Sequence, residues 1–233
     1  MIQAVIFERA GTLVRERTDV EILQELLQPL GHVPGPEALA GAVESAQKDW
    51  AGRYGSLPRG QRWTPEIRAE YRKAALTALQ LPGGPAEMVQ RADQYWESYR
   101  IRGLFAGAHP CLGALRASRI GLAALDHTLR GSIEVRAELE RLGVGRYFQV
   151  VHSTEDMPWD RPDPRVFQFM VERLKVPVER VLYVSDDARG ALPSAQEAGL
   201  ARVLVDRNEE NPVEGMPAVR TLVELPGLIT TLG

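Results

Sequence analysis

From Phe105 onward the chain alternates short apolar runs with amphipathic stretches, and this alternation limits its fold more than any other feature. The apolar runs are residues 122–125, 148–152, 181–184 and 201–205. Helical periodicity fills 111–118, 133–142, 164–174 and 192–198. Strand and helix in strict alternation predict a parallel, doubly wound sheet with helices on its faces. Residues 2–7 are short, apolar and β-branched, and add a buried strand at the N-terminal end. Sheets of this class place their sites beyond the carboxyl ends of the strands. Glu8, Asp126 and Asp186 each follow an apolar run directly, so three distant segments converge on one crevice.

The segment between Glu8 and Phe105 carries almost no strand signal. Thr18 and Glu21 form a capping box ahead of Val20, Leu23, Leu26, Leu27 and Leu30, and Gly31 ends that helix. Pro36 starts a second helix that runs to about Trp50. Residues 53–62 read as a loop. Thr64 and Pro65, a cap followed by a first-turn proline, start a third helix, which ends near residues 81–84. Pro85 starts a fourth, to about Tyr99. Four helices between two β-type regions predict an inserted helical bundle. The expected division is a core of residues 1–14 and 104–233 and a helical domain of residues 15–103. The polar tail at 208–217 is expected to be a loop before a last short helix.

At 233 residues the chain can bury one large core or two unequal ones. Its hydrophobic content of 44% and charged content of 25% are those of a globular protein. A net charge of -3 gives no electrostatic basis for nucleic acid or an anionic membrane as partner. No apolar run approaches the ~20 residues that span a bilayer, and the first residues run into a strand-like segment with no basic stretch followed by an apolar signal core, so no signal segment is expected. Cys111 is the one cysteine, which rules out an internal disulfide and a thiolate metal cluster, and a cytoplasmic location is expected. His32, His109, His127 and His152 show no metal-ligand spacing. Trp50, Trp63, Trp96 and Trp159 read as packing residues, and Arg53, Arg59 and Arg62 as members of a solvated loop.

Four loops follow the strand-like runs. The first reads Val5-Ile6-Phe7-Glu8-Arg9-Ala10-Gly11-Thr12-Leu13, the second Asp126-His127-Thr128. The third reads Arg161-Pro162-Asp163-Pro164 and the fourth Ser185-Asp186-Asp187-Ala188-Arg189-Gly190-Ala191. In this order the chain resembles the haloacid dehalogenase superfamily over nearly its whole length. The resemblance implies a Rossmann-like core with a helical cap inserted after the first strand, a phosphatase-class hydrolase, and magnesium as cofactor.

The resemblance also assigns roles. The family's nucleophile is an Asp where this chain has Glu8, and its general acid is an Asp where this chain has Ala10. Glutamate keeps the charge but is one methylene longer, and a ~1 Å misplacement costs about 100-fold in rate. A methyl group carries no proton, and general acid–base assistance is worth ~10²–10⁴-fold. Glu8 is either a nucleophile or a turn residue paired with an arginine, Arg9 being one candidate that folds back on it. The phosphate-binding set becomes Asp126, His127, Thr128 and Arg161. Asp126 stands where the family has Ser or Thr; facing a phosphate it would repel it, and as an Asx turn it would only start a helix. Arg161 replaces the family's lysine and keeps its charge. The metal set becomes Glu8, the carbonyl of Ala10, Asp186 and Asp187, with Ala191 at a further acidic position and Arg189 adding positive charge. These departures predict a pseudoenzyme that binds a small anion, a phosphorylated metabolite or a protein. The alternative is an active magnesium-dependent phosphatase that uses Glu8.

Overall fold

A computed structural model describes residues 1–82, 85–209 and 213–232. The chain divides into two compact units, residues 1–15 with 103–233, and residues 16–102. The order of elements is β1 (Ala4–Glu8), β2 (Val14–Glu16), α1 (Asp19–Leu27), α2 (Pro36–Tyr54), α3 (Pro65–Ala78), α4 (Ala86–Arg100) and β3 (Ile101–Leu104). It continues with α5 (Ala108–Ala117), β4 (Gly121–Asp126), α6 (Ser132–Arg141), β5 (Val150–Ser153), α7 (Arg165–Leu174), β6 (Val181–Ser185), α8 (Ala191–Glu197), β7 (Ala201–Val205), β8 (Ala218–Val219) and α9 (Leu225–Thr231).

The larger unit is an α/β sheet with the strand order β5-β4-β1-β6-β7-β8, and every pairing given for it is parallel. Its strands are apolar on both faces, which a sheet covered by helices on both sides requires. β1 is buried along its whole length, between β4 and β6. The register sets Glu8 beside Leu125 and Phe7 beside Val184, so β1, β4 and β6 end level with one another. One face packs Phe167, Met170 and Leu174 of α7 and Leu192 and Ala195 of α8 against Ile6, Leu125 and Tyr183. Phe167 and Tyr183 meet edge to face at 4.8 Å. β8 is a two-residue strand directly after the region expected to be a loop, and residues 210–212 of that region lie outside the described residues.

The smaller unit is helical. Both arms of the expected capping box form: Glu21 N–H donates to Thr18 Oγ1, and Thr18 N–H donates to a Glu21 carboxylate oxygen. Thr64 caps α3 with Pro65 in its first turn. Leu23, Leu27, Val43, Ala75, Leu76, Met88 and Trp96 fill the core of this unit. Trp50, Trp63, Tyr71 and Trp96 form a chain of edge-to-face contacts, so the tryptophans here are packing residues. The sequence reading missed β2 and β3, which pair as a separate two-stranded sheet. Runs of three and four residues are too short to show a period of two. The expected end of α3 at residues 81–84 falls in part on Gly83 and Gly84, outside the described residues; α3 itself ends at Ala78. Among the described residues no helix is long and apolar enough to cross a membrane.

Candidate active site at the carboxyl edge of the sheet

Glu8 is the last residue of β1, and only 6% of its surface reaches solvent. Both of its carboxylate oxygens are engaged. Oε1 lies 2.7 Å from Arg161 Nη1, and Oε2 accepts a hydrogen bond from Ser185 Oγ. Burial pushes the Glu8 carboxyl up to about 7, against the opposing pull of Arg161 and Ser185. The same Arg161 Nη1 reaches Asp187 Oδ2 at 3.4 Å, while its Nε is buried without a hydrogen-bond partner among the described residues. Ser185 Oγ also accepts from Asp187 N–H at 2.9 Å. Ser185 is fully buried, and the sequence reading gave it no role; its place at the last position of a buried strand was the available signal.

Arg9 does not fold back on Glu8. Successive side chains alternate across a strand end, and Arg9 leaves on the other side of β1. It is fully buried; its Nε lies 2.6 Å from Asp126 Oδ1 and its Nη1 2.6 Å from Glu138 Oε1 on α6. Arg130 closes the group from the other side, at 2.5 Å from Glu138 Oε2. Asp126 is therefore neither facing a ligand nor serving as an Asx turn. Burial would raise its carboxyl, but Arg9, Arg130 and Thr128 together hold it below its ordinary value. Thr128 Oγ1 donates to Asp126 Oδ2 at 2.5 Å, which commits that hydroxyl to the protein's own carboxylate. His127 Nδ1 sits 2.9 Å from Asp160 Oδ1 and 3.1 Å from Thr154 Oγ1.

Of the expected phosphate-binding set, His127 and Arg161 line one pocket of about 440 Å³, together with Asp187, Arg189, Gly190 and Ser194. Asp126 and Thr128 are not part of its lining. Arg189 is exposed and adds a second guanidinium to that pocket.

The expected metal set is dispersed over other duties. Glu8 is held by Arg161 and Ser185. Asp187 receives the backbone N–H groups of Arg189, Gly190 and Ala191 at 3.2, 2.8 and 2.9 Å, caps the turn that enters α8, and is held below its ordinary value against the opposing effect of burial. Asp186 accepts from Thr12 Oγ1 at 3.1 Å and is raised by burial. Its carboxylate lies against the backbone of Gly11, where a Cβ would meet it at 2.5 Å; Gly11 also has φ +76°. Only glycine fits there. Among the described residues no three His, Cys, Asp or Glu side chains gather as a metal site. Magnesium demands several oxygens at near-octahedral angles, and carboxylates already bound to guanidinium and backbone donors do not fit that demand. Ala10 keeps its carbonyl in the turn, whose backbone closes through a bridge to Val14.

A profile for haloacid dehalogenase-like hydrolases matches residues 2–199. The chain belongs to that family. It is 26% identical to a ribulose-1,5-bisphosphate 5-phosphatase of Halopiger xanaduensis, over 100% of this chain and 97% of the relative. It is 25% identical to a phosphoglycolate phosphatase of Pseudomonas fluorescens, over 97% and 79%. In fold it is similar to a HAD-hydrolase of Bacillus subtilis solved with magnesium bound, with a TM-score of 0.67 and 19% identity over 98% of both chains. It is equally similar to an L-2-haloacid dehalogenase of Xanthobacter autotrophicus, with a TM-score of 0.67 and 20% identity over the whole of both.

Proposed function

We propose that this family member binds a small phosphorylated metabolite or inorganic anion at the Arg161 pocket and turns it over poorly or not at all. The carrying observation is the double engagement of Glu8, by Arg161 on one oxygen and Ser185 on the other. A carboxylate in that state is a weak nucleophile, because attack requires both partners to be displaced. Ala10 offers no proton to a leaving group. Arg161 and Arg189 provide the positive lining that an anion needs, and His127 lines the same pocket. The phosphatase names of the relatives support a phosphorylated ligand class. In this reading the helical unit is the family's cap domain, and Glu8, Ala10, Asp186 and Asp187 mark a metal site given up to internal pairing.

One observation favours the second reading, an active phosphatase. A carboxyl raised to about 7 is poised to act as a general base at neutral pH. The two readings separate on turnover of an aryl phosphate with magnesium. We expect a rate near background for the purified protein, and still far below ordinary turnover after the double change Glu8→Asp plus Ala10→Asp, since Asp187 and Asp126 stay committed elsewhere. A wild-type rate in the ordinary range of about 1–10³ s⁻¹, lost in Glu8→Gln, would establish the enzyme instead.

A further inference from the structure

Arg207 has no part in the Glu8 group, and none of the four loop motifs contains it. It follows β7 at the same edge of the sheet. Its Nη1 donates to the carbonyl of Gly11 at 2.7 Å and its Nη2 to the carbonyl of Thr12 at 2.8 Å. The guanidinium carbon stands 3.5 Å from the centre of the Phe105 ring, and Arg15 approaches the same ring at 5.8 Å. The loop that Arg207 grips carries Thr12, whose hydroxyl donates to Asp186 Oδ1 and accepts from Asp186 N–H at 3.0 Å. One short arc of the molecule therefore presents two backbone carbonyls to one fixed positive charge, and Thr12 ties the Asp186 carboxylate to the same turn. Carbonyl and carboxylate oxygens are the donors that hard divalent cations prefer. Here a planar guanidinium on an aromatic face takes the two carbonyls.

We propose that Arg207 is a built-in cation: it holds the Gly11–Thr12 turn, and through Thr12 also Asp186, in place with the charge that a divalent ion would otherwise deliver. The turn after β1 is then shaped without metal, and Arg207 keeps metal out. The proposal rests on the poor fit of magnesium to Glu8, Asp186 and Asp187 and not on absent turnover. Phosphatase activity that persists in chelator would sink the anion-binding reading and leave the outcome below unchanged.

The test is a set of thermal melts and calorimetric titrations with MgCl₂ alone. Wild-type protein should show no change in melting temperature between chelator and roughly 10 mM MgCl₂. Arg207→Met should melt about 2–6 °C lower in chelator, recover at least half of that loss in MgCl₂, and give a measurable heat of magnesium binding that wild type lacks. Arg207→Lys, which keeps a charge but loses the two-pronged grip, should melt lower and stay insensitive to magnesium. If Arg207→Met does not fold, Arg207→Gln serves, since it removes the charge and keeps a donor for one carbonyl. A wild-type protein that gains stability from magnesium as much as the neutral variant does would overturn the proposal. So would a neutral variant that melts lower with no response to magnesium, or one that melts as wild type does.

Discussion

Glu8 and Asp126 end adjacent parallel strands, and both carboxylates are buried, yet one is raised and the other lowered. Burial pushes each of them upward. The difference lies in what surrounds them. Asp126 has Arg9 and Arg130 close by and the Thr128 hydroxyl on its second oxygen, in a sealed group whose charges cancel. Glu8 has one guanidinium, shared with Asp187, and feels two further carboxylates at 186 and 187. The sign of a buried acid is set by how many cations are dedicated to it, not by depth alone. The sealed side is built for rigidity; the Glu8 side keeps a pocket and an under-compensated charge.

The largest expected effect comes from unsealing the closed side. Arg9→Met leaves Asp126 and part of Glu138 without their main counterion, and breaking a buried pair in this way costs about 3–5 kcal/mol. Urea denaturation checks it; a loss under about 1 kcal/mol would mean that the two sides are energetically alike. Next is pH. The Glu8 carboxyl is raised on folding from 4.5 to about 7, so it takes up a proton in that window. Its contribution is full below pH 4.5 and is lost as pH rises through 7, at about 1.4 kcal/mol per unit. Asp126 acts in the opposite sense: it stabilises above its ordinary value of 3.8 and loses that contribution as pH falls through its lowered one. Denaturation at about pH 5 and about pH 8 should show wild type declining toward the higher pH and Glu8→Gln declining less. Equal decline in both proteins would place Glu8 in the ordinary carboxylate range and erase the contrast. The smallest effect is Thr128→Val, which removes one hydroxyl from a carboxylate that retains its guanidinium partner. A loss of about 1 kcal/mol is expected, with turnover and anion binding unmoved, because Thr128 does not line the pocket. A change in anion affinity would return Thr128 to the binding set.

The alternation after Phe105 was enough to give every main strand and helix of the sheet unit within a few residues, because period and length both pointed one way. The capping box at Thr18 and Glu21 and the cap at Thr64 were legible for the same reason: they act within one turn of chain. The site was legible only in part. Glu8, Asp186 and Arg161 stood at strand ends or in a recognisable loop, and they do gather at one edge. Which side Arg9 takes was not legible, because its partner Glu138 lies on a helix with no motif of its own. Asp126 was misjudged with it, since a carboxylate looks repulsive until its counterion is found. Arg207 lies beyond the last main strand, where strand-end logic applied but no motif drew attention.

Because β1 lies in the middle of the sheet, the chain is made in the wrong order for its own assembly. Ala4 pairs with Gly121 on one side and with Val181 on the other. The helices α1 to α4 are contiguous and can settle on one another while neither neighbour of β1 has yet been synthesised. β1 is thus enclosed only after β6, far along the chain, has been made. Its apolar run Ala4–Glu8 must wait with both hydrogen-bonding edges open. Loop closure over such spans slows folding, and a chain stopped before β6 would carry that strand with one edge permanently exposed to aggregation.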